Sequence, residues 1–390
     1  NLSRTNLTLR ASSTFGKDDR WSIDAKVQYI NTLAENRPIS GARGNNAFYT
    51  IFNMPTTIDI RDFSSPVKDE FGEMIWWSKG GINPYWSKDY NPNKDSRNRF
   101  LMNGSLKYKF TDWLDAEIKA GSDMYFTEGE EKLYAGSPTN NKNSRYSTSE
   151  KKFFENNFSF LISGHKDELF GKFGGNFSFG GNLMERKSTG LDNSMGKLTA
   201  PDLFSLANGD KKDLSITETY IHKKINSLYG TLGINYNGWA FLDATFRNDW
   251  SSALNKENRS FFYPSVGASV LLDRFIDFGK NVDLFKLRAS YSIVGNDVPI
   301  GVTNERYTLG DQGALNPPEK SSFRTLKPEK TNSLEVGFDG TFFQNRFNVN
   351  LTYYKTNTKN QYFDISAPWE TGLKSRYINA GNVQNQGFEV

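Results

Sequence analysis

Four large aromatics, Trp76, Trp77, Tyr85 and Trp86, crowd into one short polar stretch. Flat rings stack on sugars and on peptide side chains, so the cluster is a candidate ligand contact. The same rings could instead pack the stretch on itself or against a partner protein. Arg247 and Asp249 lie two apart at the end of a polar row. They could bind a ligand or merely anchor loops, and both readings stand. Catalysis finds little to work with. His165 reads as part of a tight turn and His222 as lying beside a long loop, neither within a nucleophile or metal motif. Asp115 and Glu117 are spaced like a glycosidase pair, but with Lys119 beside them they read as the lining of a wet surface. Asp89–Asp95 sets oxygen ligands at alternate positions like a calcium loop, yet Lys94 stands where such a loop needs Gly and Phe100 where it needs Glu. Gly171, Gly174, Gly175, Gly180 and Gly181 are followed by no helix pattern and no Lys-Ser/Thr ending, so they make no phosphate loop and read as small strand residues beside large aromatics. No catalytic residue, metal ligand or cofactor is expected.

The elements that must carry these residues are strands. From Lys330 to Tyr354 the residues Leu334, Val336, Phe338, Gly340 and Phe342 share one face, opposite Glu335, Gly337, Asp339 and Thr341. After a turn at Gln344-Asn345-Arg346, the row Phe347, Val349, Leu351 and Tyr353 opposes Asn348, Asn350 and Thr352. Strand side chains alternate between faces, so this is a hairpin with one apolar and one polar wall. Limbs of about ten residues match a tilted strand crossing a bilayer, longer than the usual five or six of a soluble sandwich. The pattern repeats in pairs: 2–15 with the return Trp21, Ile23, Ala25, Val27 and Tyr29; 97–110 with 113–126; 152–164 with 170–185; 223–236 with 239–250; and 260–272 with 283–294. A last strand starts at Asn379. Asn237-Gly238 is a hairpin turn signal, and His165-Lys166-Asp167-Glu168 reads as another turn. Between pairs lie long stretches at 33–96, 127–150, 186–222, 295–329 and 355–378. About thirteen strands with alternating short and long connections describe an outer-membrane barrel, short turns periplasmic and long loops extracellular. Trp21, Trp113 and Trp239 follow three short turns and suggest a periplasmic aromatic girdle.

Composition agrees. Hydrophobic residues make up only 36% while aromatics reach 15%, and mean hydropathy is -0.64. A polar lumen and polar loops dilute an apolar belt in this way. Rows such as Asp115, Glu117 and Lys119 need water, so the apolar rows are expected on the outer wall against lipid. Net charge is +4 with both signs interspersed, too balanced for nucleic acid. Cysteine is absent, which leaves no disulfide and no thiolate chemistry. The closing NQGFEV stops in mid-alternation, so the sequence reads as an internal stretch of a longer protein. An incomplete barrel, a curved wall with two separate edges, is therefore expected.

Several segments resemble the barrel of TonB-dependent transporters of the SusC/RagA type. Arg247-Asn248-Asp249-Trp250-Ser251-Ser252 is similar to R-x-D-G-S-S, with Trp250 in place of Gly. Phe262-Tyr263-Pro264-Ser265 resembles F-P-S with one residue inserted. Leu287-Arg288-Ala289-Ser290-Tyr291, with Val294-Gly295-Asn296, resembles L-R-A-S-Y-G-x-x-G-N. Leu326-Lys327-Pro328-Glu329-Lys330-Thr331 and Glu335-Val336-Gly337 resemble L-x-P-E-x-T and E-x-G. Asn379-Ala380-Gly381 with Asn385-Gln386-Gly387-Phe388-Glu389 resembles N-x-G-x-x-x-N-x-G-x-E, and Asn36-Arg37-Pro38 and Asn83-Pro84-Tyr85-Trp86 resemble segments of the family as well. The resemblance implies that residues 1–390 are part of a receptor barrel of roughly 22 strands, with plug and C-terminal strands outside the sequence. It implies active import of oligosaccharides or oligopeptides, driven by TonB and assisted by a SusD-like surface lipoprotein that docks on the long loops. The alternative is a non-transport barrel or adhesin that binds partners through those loops. Outer-membrane lipid is the expected surroundings in either case.

Overall fold

The computed structural model describes residues 1–38, 41, 46–78, 80–304, 307–309 and 315–390. Parts of the expected loops 33–96 and 295–329 lie outside the described residues. The chain forms β1 (Leu2–Phe15), β2 (Trp21–Glu35), α1 (Ala47–Phe52), α2 (Pro84–Tyr90), β3 (Asn93–Lys109), β4 (Leu114–Leu133), β5 (Arg145–Phe170) and β6 (Phe173–Met195). There follow β7 (Leu214–Tyr236), β8 (Ala240–Ser251), β9 (Ser260–Leu271), β10 (Val282–Asn296), three two-residue strands β11 (Thr308–Leu309), β12 (Leu315–Asn316) and β13 (Lys320–Ser321), and then β14 (Glu329–Phe342), β15 (Phe347–Ser366) and β16 (Ser375–Glu389). One sheet takes the long strands in chain order, each antiparallel to the next. Among the described residues the only parallel member is β13, two residues against β16. β1 pairs with β2 alone, and among the described residues no ladder joins it to β16, so the sheet is open.

The alternation decides what each face meets. Ile118 and Phe158 are each 59% exposed, and Val336 is 49% exposed, because among the described residues no second sheet covers the apolar rows. The opposite face holds the charges in pairs: Lys107 with Asp115 at 3.1 Å, Lys119 with Glu117 at 2.9 Å, Arg99 with Asp123 at 2.6 Å and Arg186 with Glu155 at 2.6 Å. A sandwich would bury the first face, and lipid would exclude the second. At the short-turn end the outward rings touch one another. Trp21 meets Tyr108 at 4.5 Å, Trp239 meets Phe275 at 4.9 Å and Phe285 meets Phe338 at 4.7 Å. Trp21 and Trp239 thus take part in ring contacts at the expected interface, whereas Trp113, 44% exposed, has no ring partner among the described residues.

Two expectations need correction. β4 to β7, β15 and β16 run well past the expected ends, so the stretches 127–150, 186–222 and 355–378 shrink to loops at 134–144, 196–213 and 367–374. Beyond the bilayer both strand faces are wet, and the apolar alternation that marks a strand disappears although its ladder continues. The second correction concerns 165–168, which is strand rather than turn. His165 pairs with Asn176, and the register slips between Lys166 and Phe170. The chain reverses at Gly171, whose φ of 61° suits glycine. His222 likewise lies within β7, opposite Lys187. Asn237 and Gly238, with φ of 49° and 70°, make the expected primed turn.

Candidate functional site

Up-and-down pairing puts every long loop at the same end, and two sets of contacts knit them together. In the first set, Asn83 caps α2 by accepting from the Tyr85 N–H, and its side-chain amide donates to the carbonyls of Phe63 and Ile75. Pro84 opens the helix, where its missing N–H costs nothing. Trp86 is thereby turned inward, 1% exposed, and stacks on Tyr90 at 4.4 Å. The rings continue through Tyr134 at 5.5 Å, Phe204 at 4.8 Å and Tyr146 at 6.1 Å. This ring chain crosses from the 36–92 loop to those at 134–144 and 196–213. Lys142 to Glu73 (2.5 Å) and Ala135 N–H to Asp202 (2.9 Å) reinforce it.

The sequence cluster therefore divides. Trp86 is a packing residue. Trp76 sits edge-on to Phe63 at 4.9 Å and beside Trp77 at 6.3 Å. Its indole N–H, like that of Trp86, is buried without a hydrogen-bond partner among the described residues. Trp77 is 37% exposed, and Tyr85 is half-buried on the first turn of α2. Nearby, Asp59 accepts from the Arg61 guanidinium and backbone N–H, which lower its pKa to about 2. The calcium-like run forms no loop, because Asp89 ends up in α2 and Asp95 in β3, where Arg37 bonds it.

A second set of contacts surrounds Arg247 and Asp249. Arg247 Nε donates to Asp249 at 2.9 Å, and its Nη2 donates to Ser227 Oγ at 3.0 Å. The guanidinium lies over the Tyr229 ring at 5.7 Å. The Tyr263 hydroxyl donates to the other carboxylate oxygen of Asp249, which is 7% exposed. Lys223 and Ser251 both bond Asp297, at 2.7 Å and 2.5 Å. Next to these bonds Ala253, Leu254, Phe261, Val298, Val302 and Leu326 form the buried apolar cluster. Asp249 is thus fully engaged, while Arg247 keeps an accessible edge.

Two inward-facing groups escaped the sequence reading. Tyr125 and Phe153 stack at 4.7 Å, with Arg97 over one ring at 4.8 Å and Arg186 over the other at 5.9 Å. Arg288 reaches from β10 across β14 to bond Thr352 on β15 at 2.5 Å. It can do so because Gly337 leaves the space; a Cβ there would stand 2.6 Å from the guanidinium carbon. Both groups need partners on neighbouring strands, which only the register reveals.

An open antiparallel wall with one lipid-compatible face, one ion-paired face and loops knit at one end is a receptor barrel in outline. The sequence model of the family "TonB dependent receptor-like, beta-barrel" matches residues 57–390. The chain belongs to that family. This receptor barrel is 27% identical over 216 residues to a TonB-dependent receptor of Formosa agariphila, covering 53% of the chain and 21% of the relative. It is 23% identical over 339 residues to the TonB-dependent receptor SusC of Bacteroides thetaiotaomicron, covering 80% and 33%. The chain thus spans about a fifth to a third of these relatives. In fold it resembles the RagAB peptide importer, with a TM-score of 0.82 at 18% identity, covering 99% of this chain and 43% of that one. The siderophore receptor PiuA of Acinetobacter baumannii matches with a TM-score of 0.56 at 15% identity, covering 99% and 54%. The receptor barrel is an outer-membrane protein, so its apolar face meets lipid and its knit loops face outward.

Proposed function

We propose that the protein imports oligosaccharides or oligopeptides across the outer membrane. TonB supplies the energy and a SusD-like lipoprotein sits on the loops. The observation that carries this reading is the paired-charge inner face beneath an aromatic mouth: a wet, polar lumen wall suited to polar cargo. The likeness to a receptor named SusC and to a peptide importer supports it. Trp77, Tyr85 and Arg247 are the proposed cargo contacts. Trp76, Trp86 and Asp249 hold those three in place.

Uptake of labelled oligosaccharides and oligopeptides by cells carrying the full-length protein tests the reading, with and without a functional TonB. TonB-dependent accumulation of one cargo class is the expected result, together with a surface lipoprotein that co-purifies in detergent. Equal accumulation without TonB, or none of either class, would sink it.

A further inference from the structure

On the lipid face an apolar groove of about 920 Å3 crosses from β2 to β8. It follows a single register line, in which Ala25 pairs with Gly104, Gly104 with Ala120, Ala120 with Phe158, and so on through Leu183 and Asn226 to Trp250. Three small residues in succession make its floor, and Ile23, Leu106 and Ile118 on the adjacent line make a wall. The line runs across strands that tilt about 35–45° from a barrel's axis, so it climbs obliquely through the bilayer. Ala25 lies near the short-turn end of β2, and Trp250 near the loop end of β8.

Gly104 needs an explanation of its own. Three other glycines on the same outward face are filled by a neighbouring ring: Gly164 by Phe177, Gly181 by Phe160, Gly230 by Phe246. A Cβ on Gly104 would meet nothing within 4 Å. Glycine weakens a strand, and no packing partner among the described residues offsets that at Gly104.

The upper end of the groove meets polar outward residues. Glu185 pairs with Lys224 on the register line above Leu183 and Asn226, and Lys187 comes next. Glu185 is bonded by both His222 (2.7 Å) and Lys224 (3.1 Å). Lys187 makes no ion pair among the described residues, and its Nζ lies 5.4 Å from the Tyr220 ring centre. An apolar furrow with an unpaired lysine four residues further up β6, beyond the Glu185–Lys224 pair, matches a lipid with an acyl tail and an anionic head. We propose that the groove holds one acyl chain of an anionic outer-leaflet lipid, whose phosphate meets Lys187. The proposal rests on the chain's place in the membrane and not on what it carries.

The test uses the full-length protein in phosphatidylcholine vesicles containing brominated phosphatidylglycerol, a quencher of indole fluorescence. The signal lost in Trp250→Phe isolates the residue at the groove's end. Quenching of Trp250 should exceed the probe's mole fraction several-fold and fall to that fraction in Gly104→Leu, which the open space admits. Brominated phosphatidylglycerol should be preferred over brominated phosphatidylcholine by about fivefold, the worth of one lysine at an anionic head. Lys187→Gln should remove that preference. Wild-type quenching at the mole-fraction value, equal quenching in folded Gly104→Leu, or no preference between the head groups would each overturn the proposal. The wild-type measurement against Trp250→Phe decides even if Gly104→Leu or Lys187→Gln fails to fold.

Discussion

Two tryptophans nine positions apart illustrate how little a residue's type says about its work. Trp86 is sealed against Tyr90, whereas Trp77 keeps an open edge. Trp86→Ala should therefore cost about 3–5 kcal/mol of local stability, seen as faster proteolytic cutting between residues 46 and 78. Trp77→Ala should leave that cutting unchanged and weaken cargo binding, measured by titration of the purified protein. Asp59 offers a pH readout. Its pKa is lowered from 3.8 to about 2, chiefly by the Arg61 side chain. The contribution of this contact is complete above the ordinary carboxylate range and is lost as pH falls toward 2. Carbon-13 NMR of labelled aspartate should give a midpoint near 2, moving up toward 3.8 in Arg61→Ala. The aromatic cluster was legible from the positions of Trp76, Trp77, Tyr85 and Trp86 in the sequence. Which ring would be buried was not, because the cap at Asn83 and the partner at Tyr90 set that by orientation.

At the scale of the element, the bilayer-crossing part of each strand was legible and the rest was not. Leu334, Val336 and Phe338 show a period of two because lipid lies on one side and water on the other. The segments 186–195 and 214–222 carry polar residues on both sides yet pair residue for residue, Lys187 with His222 and Asp192 with Thr217. Main-chain hydrogen bonds hold them, and main-chain bonds leave no trace in side-chain type. Arg288 shows the complementary case, a side chain that ties three strands. Gly337→Leu should drive its guanidinium off β14 and cost about 1–3 kcal/mol from overpacking, measured by urea unfolding in vesicles. Arg288→Ala in the same background should add almost nothing, since its bonds would already be lost.

For the molecule as a whole, the two faces of the wall predict opposite tolerance to charge. Phe158→Arg should cost about 2–4 kcal/mol in vesicles, whereas Ser159→Arg, one position on and facing inward, should cost little. Urea unfolding of the pair checks this, and comparable costs would mean that the faces are assigned the wrong way round. The loop end carries a different consequence. Rings from three separate loops form one chain, Trp86 to Tyr90 to Tyr134 to Phe204, which ends on Tyr146 at the start of β5. A change of length in any one loop displaces rings in the other two, so the three cannot drift independently through evolution. A new cargo preference would have to be acquired by exchanging the three loops as a set, and chimaeras that transplant only one should fold worse than either parent.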